Sequence, residues 1–216
     1  MPTQRVQFTE WLPDQPDNAG GLNDALNVIP VSIGYQPFPN AVDFSGAAAE
    51  SINSVFVAKW GTEIVIFAGG ATKLFKFNNT TEALEDKSKS GGYSSIFPWK
   101  FVQFGKTVIA ANGNAILQYW TIGTSTAWAD VATSPIARQV AVVRDFVVTG
   151  YVNTGTLGNS TVQWSDINDE TDWTAGATSQ ADNQVIADGG NIQAVTGGEF
   201  MWDHHYSFSL TTSLED

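Results

Sequence analysis

The feature that most constrains this chain is a hairpin that recurs at a nearly constant stride. In FVAKWGTEIVIFAGGATKLFKF (Phe56 to Phe77), an apolar strand runs to Trp60 and turns at Gly61. It returns over Ile64 to Ala68, turns again at Gly69-Gly70, and leaves over Leu74 to Phe77. FVQFGKTVIAANGNAILQYW (Phe101 to Trp120) repeats the plan with a strand to Phe104, a turn at Gly105 and a strand over Val108 to Ala111. A turn at Asn112-Gly113 and a strand over Ile116 to Trp120 complete it. Gly61 and Gly105 stand 44 residues apart. A third copy, VAVVRDFVVTGYV, places Arg144-Asp145 at the turn, 39 residues after Gly105, and TVQWSD supplies its outgoing strand. IQAVTGGE opens a fourth, with Gly197-Gly198 as the expected turn.

Units of about 40–50 residues with four strands each are the sequence form of propeller blades. The plainer alternative is a β-sandwich whose hairpins merely resemble one another. Alternation within strands agrees with either: Ile116, Gln118 and Trp120 share one face, and Thr161/Gln163 oppose Val162/Trp164. A blade buries both faces against neighbours, so three blades and part of a fourth do not close a ring. The expected fold is therefore all-β: propeller-like blades of antiparallel strands in an incomplete propeller, with an extended N-terminal arm. Missing sequence, another subunit or a different β-architecture would complete it.

The expected organisation is an arm over residues 1–48, repeated blades over 49–199, and an atypical tail over 200–216. WLPDQPDNAGG and GYQPFPN are too rich in Pro, Asn and Gly for a long helix or a central strand. LNDALNVIP between them allows at most a short helical turn stopped at Pro30, and Trp11, Tyr35 and Phe38 are anchors that order the arm on the surface or on a neighbour. MWDHHYSFSLTTSLED lacks the glycine-turn rhythm of the blades, which suggests a fragment or a frame-shifted product after residue 199.

Composition narrows the function. The chain has no Cys, which removes disulfides and thiolate metal sites. The N-terminus has no apolar signal core, and no 18-residue apolar run marks a membrane span. Net charge is −12, but its distribution says more. Met1 to Ala58 carries −5, Lys59 to Arg144 carries +4, and Asp145 to Asp216 carries −11 with no Lys or Arg. A protein that grips phosphate clusters cations, because neutralising the backbone supplies most nucleic-acid affinity. This chain does the reverse.

Chemical motifs are sparse. DINDETD places Asp166, Asn168, Glu170 and Asp172 at alternating positions, as calcium loops do, but Thr171 stands where such a loop needs Gly and Ala177 where it needs Glu. The preferred reading is an Asx-rich turn between Trp164 and Trp173, whose rings pack on the blade. The same stretch partly resembles the Asp-box of glycosidase propellers, a turn device, through Ser165 and Trp173. Asp203-His204-His205 holds both His residues, which on a strand point to opposite faces, and no nucleophile elbow accompanies them. The double glycines at 20-21, 69-70, 91-92, 189-190 and 197-198 are expected to be turns, since no phosphate-loop spacing occurs. LEDKSKSGG, Leu84 to Gly92, reads as a solvated connection. No catalytic residue and no cofactor site stands out.

Two stretches carry a family resemblance. The first is LPDQPDNAGGLNDALNVIPVSIGYQPFPN, where Asn27 and Pro30 precede Gly34, Tyr35, Pro37 and Pro39. The second is VQWSDINDETDWT, with Trp164, Ser165, Asp166, Asp172 and Trp173, followed by DGGNIQAVTGGE with Gly189 and Gly190. Together they resemble the N-terminal part of the tail nozzle proteins of short-tailed phages, also called packaged-DNA stabilisation proteins. The resemblance spans roughly residues 10 to 199 and departs from the family at Phe200. It implies a β-propeller with added domains, assembled as a homo-oligomeric ring beneath portal and adaptor proteins. Such a ring sits in the virion after a stay in the host cytoplasm, retains packaged DNA and later conducts it. Double-stranded DNA would pass transiently and without sequence preference, and no enzymatic activity is implied. The alternatives are a glycan-degrading propeller enzyme and a general propeller-type scaffold for protein interactions.

Overall fold

The structure, a computed structural model, describes residues 26–31, 34–39, 42–95, 97–155, 157–198 and 209–213, the last by backbone alone. Contacts divide the chain into two units, Met1–Phe44 and Ser45–Asp216. In the first, β1 (Val28–Val31) and β2 (Gly34–Pro37) form an antiparallel hairpin with Pro30 opposite Tyr35 and Val31 opposite Gly34. Asn27, left-handed at φ 57°, accepts a hydrogen bond from the Phe38 amide at 2.8 Å and closes the open end. Of LNDALNVIP, Val28–Pro30 is therefore strand, and residues 22–25, where a short helical turn is allowed, lie outside the described residues. In a two-stranded hairpin both strands are edges, where a residue with no N–H fits. Trp11 and Gly20-Gly21 lie outside the described residues.

The second unit is a succession of antiparallel meanders, with no helix among the described residues. The first sheet runs β3 (Ser54–Trp60), β4 (Glu63–Gly69), β5 (Leu74–Asn78) and β6 (Ala83–Asp86), each strand beside the one before. The second repeats this order with β7 (Lys100–Phe104), β8 (Thr107–Ala111), β9 (Gln118–Thr121) and β10 (Ala129–Asp130). The third is β11 (Ala137–Val143), β12 (Phe146–Val152), β13 (Thr161–Trp164) and β14 (Asp182–Val185). A two-stranded sheet follows, β15 (Asn191–Thr196) with β16 (Ser209–Ser213).

Phe56, Phe101 and Val140 fall on the first strand of successive sheets, and each first strand ends in a two-residue turn. The leading turn residues, Gly61, Gly105 and Arg144, have φ of 59°, 57° and 53°. The second residue of each turn stays at negative φ. A left-handed first residue is what a type II′ hairpin turn requires, because it matches the right-handed twist of the strands. Arg144 does this without glycine's freedom.

First strands neighbour one another along the series: β3 with β7, β7 with β11, and β11 with β15. Three apolar clusters sit between consecutive sheets. Phe67 and Val65 of the first sheet meet Trp120, Trp128 and Val108 of the second. Ile109 and Leu117 of the second meet Val140, Val147 and Trp173 of the third. Val148 and Val162 of the third meet Ile192 of the last hairpin. All of β8 is buried, as expected of a sheet covered on both faces.

One sequence expectation changes at the C-terminal end. Gly197-Gly198 is not the tight turn of a fourth hairpin, because Thr196 lies opposite Ser209 and residues 197–208 separate the strands. Gly197 serves close approach instead: a Cβ there would collide with the Val142 carbonyl of β11. Ser209–Ser213 pairs with β15 across a bulge between Ile192 and Ala194. Asp203-His204-His205 lies outside the described residues. No helix of the described residues is long and apolar enough to cross a membrane.

Candidate functional site

The loop from Ser165 to Thr174 holds the four candidate calcium ligands, and its Asp carboxylates accept hydrogen bonds from backbone amides. Asp166 Oδ1 accepts from the Ile167 amide at 2.8 Å and the Gln180 amide at 2.6 Å. Asp169 accepts from the Thr171 amide and hydroxyl, at 2.9 and 2.7 Å, and these bonds hold its carboxyl below the usual value. Asp172 accepts from the Thr174 amide at 2.9 Å. The Asp169–Thr171 and Asp172–Thr174 bonds are Asx turns, in which a short carboxylate replaces a backbone acceptor, while Asp166 ties the loop to Gln180. Asn168 sits left-handed at φ 55° and its amide bonds the Asp145 carbonyl at 2.8 Å. Glu170 contributes its backbone: the carbonyl accepts from Trp173 Nε1 at 2.9 Å.

The four candidate calcium ligands are thus neighbours in a loop without converging on a point. Among the described residues no three His, Asp or Glu side chains are grouped to hold a metal ion. Trp173 is buried between the second and third sheets, and Thr133 clasps it, accepting from the Trp173 amide at 3.2 Å and donating to the Thr171 carbonyl at 2.7 Å. Trp164 is partly exposed and donates to the Gln180 carbonyl at 2.8 Å. Ser165 is fully buried; its hydroxyl accepts from the Val147 amide and donates to the Asp166 carbonyl, at 3.1 and 2.9 Å. Gly189 follows β14, and its amide bonds the Ile186 carbonyl at 3.2 Å.

The double glycines divide by role. Gly91 and Gly92, at φ 87° and 65°, are turn residues as expected. Gly69 and Gly70 lead into the β4–β5 turn, where the Gly70 amide bonds the Lys73 carbonyl at 3.0 Å, and they also make room: a Cβ on Gly69 would lie 2.5 Å from the Trp99 ring, whose Nε1 donates to the Gly70 carbonyl at 2.9 Å. Against Gly70 rests Glu50, whose carboxylate accepts from the Thr72 hydroxyl at 2.8 Å and the Thr72 and Lys73 amides at 3.0 and 2.7 Å.

Polar residues join the sheets where main chains do not meet. Gln103 of β7 accepts from the Lys59 amide at 3.0 Å and donates to the Lys59 carbonyl at 2.7 Å, so it acts as a strand-like rung between β3 and β7. Gln139 of β11 donates to the Gln193 carbonyl of β15 at 2.7 Å. Gln118, fully buried, accepts from Tyr93 Oη at 3.2 Å and donates to Asp130 at 2.6 Å. Lys89 completes that network with an ion pair to Asp130 at 2.6 Å. Burial pushes the Tyr93 hydroxyl up to about 12. Burial also raises Asp130, but the bonds from Lys89 and Gln118 outweigh it and leave the carboxyl below its ordinary value. The stretch from Leu84 to Gly92 is therefore not a purely solvated connection; its Lys87 carbonyl also accepts the Trp128 amide at 2.8 Å. Sequence reasoning placed Gln118 on a strand face but gave neither it nor Gln103 and Gln139 a bonding role, although a Gln within an otherwise apolar strand was the available signal.

One cleft, about 480 Å³ in volume, opens between the first and second sheets. Its charges alternate: Lys76 and Lys87 with Glu63 and Glu85, over the edge of Trp120. Lys87 pairs with Glu85 at 3.1 Å, and Lys76 Nζ lies 5.4 Å from the Trp120 centroid. Trp120 is only 2% exposed, so in this cleft it offers no free ring to stack a sugar.

Fold and site together define an all-β protein of consecutive antiparallel meanders joined by aromatic clusters and glutamine amides. No protein-family model matches the chain, and no curated protein matches it. Among solved structures it is similar to the crystal structure of the computationally designed Ika4 protein, with 13% identity and a TM-score of 0.44. That similarity covers 80% of this chain and 99% of the other.

Proposed function

We propose that this chain is a structural component of a short-tailed phage tail, of the nozzle or packaged-DNA stabilisation type. In this reading the meanders are blades of an incomplete β-propeller within a homo-oligomeric ring, and the N-terminal segment is an arm that reaches a neighbour. The observation that supports it is the side-by-side succession of β3, β7, β11 and β15, which in this reading are the innermost strands around a propeller axis. The charge pattern supplies the mechanism. A wall rich in carboxylates repels phosphate, so duplex DNA is centred and slides; a cationic wall would bind it and release counterions. The chain acts without catalysis, in the virion after assembly in the host cytoplasm, with portal and adaptor proteins as partners.

The test is a pair of binding measurements on the purified chain. The reading expects capture by a portal–adaptor complex of a short-tailed phage and no retention of duplex DNA even at low salt. Tight DNA binding with a steep salt dependence would refute the mechanism. Cleavage of a host polysaccharide, with no portal–adaptor capture, would favour the enzyme reading instead.

A further inference from the structure

A set of polar side chains crosses the face of the first sheet that turns toward the second. The register sets Trp60 opposite Glu63, Phe67 opposite Lys76, and Lys76 opposite Glu85. Phe67 is buried against the second sheet, so strand alternation turns Glu63, Lys76 and Glu85 to that same side. There they line the cleft of about 480 Å³, with Trp120 and Ser125 of the second sheet across from them. Ligand clefts commonly measure about 300–1,000 Å³. Glu63 reaches toward the far wall: a Cβ on Gly123 would lie 3.6 Å from its Oε2. Trp60, its cross-strand neighbour at the rim, is 52% exposed.

The polar groups of the cleft are held in place. Asn78 accepts from the Thr80 amide at 2.8 Å and donates to Glu85 Oε1 at 2.5 Å, and Lys87 pairs with the other Glu85 oxygen at 3.1 Å. Glu85 is thus fixed in orientation, and each oxygen keeps a lone pair to offer. Ser125 Oγ accepts from the Thr121 amide at 2.9 Å, which leaves its O–H to donate. Among the described residues, the Glu63 carboxylate and the Lys76 ammonium have no hydrogen bond or ion pair; Lys76 is held instead over the Trp120 ring.

We propose that this cleft binds a short neutral saccharide, with the Trp60 ring against one face of a sugar and Glu63, Glu85, Lys76 and Ser125 bonding its hydroxyls. The chemistry of the lining selects this ligand. Two Lys and two Glu cancel, so the cleft favours neither a phosphate nor a polycation. Donors and acceptors stand side by side, and a sugar hydroxyl is both. The exposed indole supplies the flat apolar surface that the buried Trp120 does not. The site binds without cleaving: the bonds from Asn78 and Lys87 hold the Glu85 carboxyl below its ordinary value, so it stays ionised and is no general acid. This inference is independent of the phage reading and of how the sheets close.

The test is a titration of the ¹⁵N-labelled chain with maltotriose, cellotriose, mannotriose, galactotriose and triacetylchitotriose, followed by amide and indole N–H shifts. At least one trisaccharide should give saturable shifts at the Trp60 indole together with the Glu63 and Ser125 amides, and inorganic phosphate should not. Trp60→Ala should weaken binding about tenfold or more, and Glu63→Gln should weaken it several-fold. Both positions are exposed, so the circular dichroism spectrum should be unchanged. Trp164→Phe, on the third sheet, should bind like wild type. Saturable binding by no member of the panel, shifts centred away from the cleft, undiminished binding by Trp60→Ala, or release of new reducing ends would overturn the proposal.

Discussion

Replacing Phe67 by Ala tests how the first sheet is held to the second. Phe67 is fully buried, and its ring meets Trp128 and Trp120 edge-on, with centroids 5.0 and 5.4 Å away. Removing it forfeits the transfer term of a buried aromatic and leaves a cavity, for a combined cost of about 3–5 kcal/mol. The two edge-to-face contacts are part of that loss, each about 0.5–1.5 kcal/mol. Against a typical total of about 5–15 kcal/mol this is about a fifth of the stability or more. Urea unfolding of the chain, followed by tryptophan fluorescence and far-ultraviolet circular dichroism, reads the effect directly. With a slope of about 2 kcal/mol/M, the midpoint should fall by roughly 1.5–2.5 M. Val57→Ala, on the opposite face of the same sheet, is the control; measured at a dilution that keeps the chain monomeric, it should change stability by no more than about 0.5 kcal/mol. A loss below about 1 kcal/mol for Phe67→Ala, or equal losses for both variants, would refute the assignment of faces.

Three further outcomes follow from the geometry. Arg144→Gly should raise the thermal midpoint, because relief of a left-handed non-glycine residue, about 1–2 kcal/mol, exceeds the added unfolded-state entropy; calorimetry showing a lower midpoint would contradict it. Glu50→Ala should cost about 1–2 kcal/mol by stripping the acceptor from the Thr72 and Lys73 amides, and Glu50→Gln less, as chemical denaturation would show. Stability should fall at both pH extremes. Asp130 lies below its ordinary value of 3.8 when folded, so its contribution is present above that value and is lost as pH falls through the folded one; Asp130→Asn should flatten this acid limb in pH-dependent melts. Tyr93 is raised to about 12, so its contribution is present below the ordinary 10.0 and is lost as pH rises toward 12; Tyr93→Phe should abolish that alkaline loss.

The strands were legible where the signal was local. Trp60-Gly61, Phe104-Gly105 and Arg144-Asp145 mark hairpins because a two-residue turn restricts which residues can occupy it, and all three stand between paired strands. Gly197 misled because glycine has two uses, left-handed φ and close approach, and only the packed position of Val142 distinguishes them. The role of Gly69 was hidden for the same reason, since Trp99 lies 30 residues further along the chain. The Asp169 and Asp172 turns were legible as Asx-turn chemistry, since their carboxylates bond residues two positions away; the bonds that tie the loop to Gln180 and Asp145 were not, because they span the chain. The Tyr93–Gln118–Asp130 network was not, because its members come from separate strands and connections.

Proton–proton Overhauser spectroscopy on the labelled chain tests the succession of sheets most directly. The Phe56 and Phe101 rings, from the first strands of neighbouring sheets, stack with centroids 5.8 Å apart, and the Ile192 and Val195 methyls lie against Gly150. The account predicts cross-peaks between the two rings and from both methyl groups to the Gly150 α-protons. Intact hairpin cross-peaks within each sheet, with none between Phe56 and Phe101 or at Gly150, would contradict it.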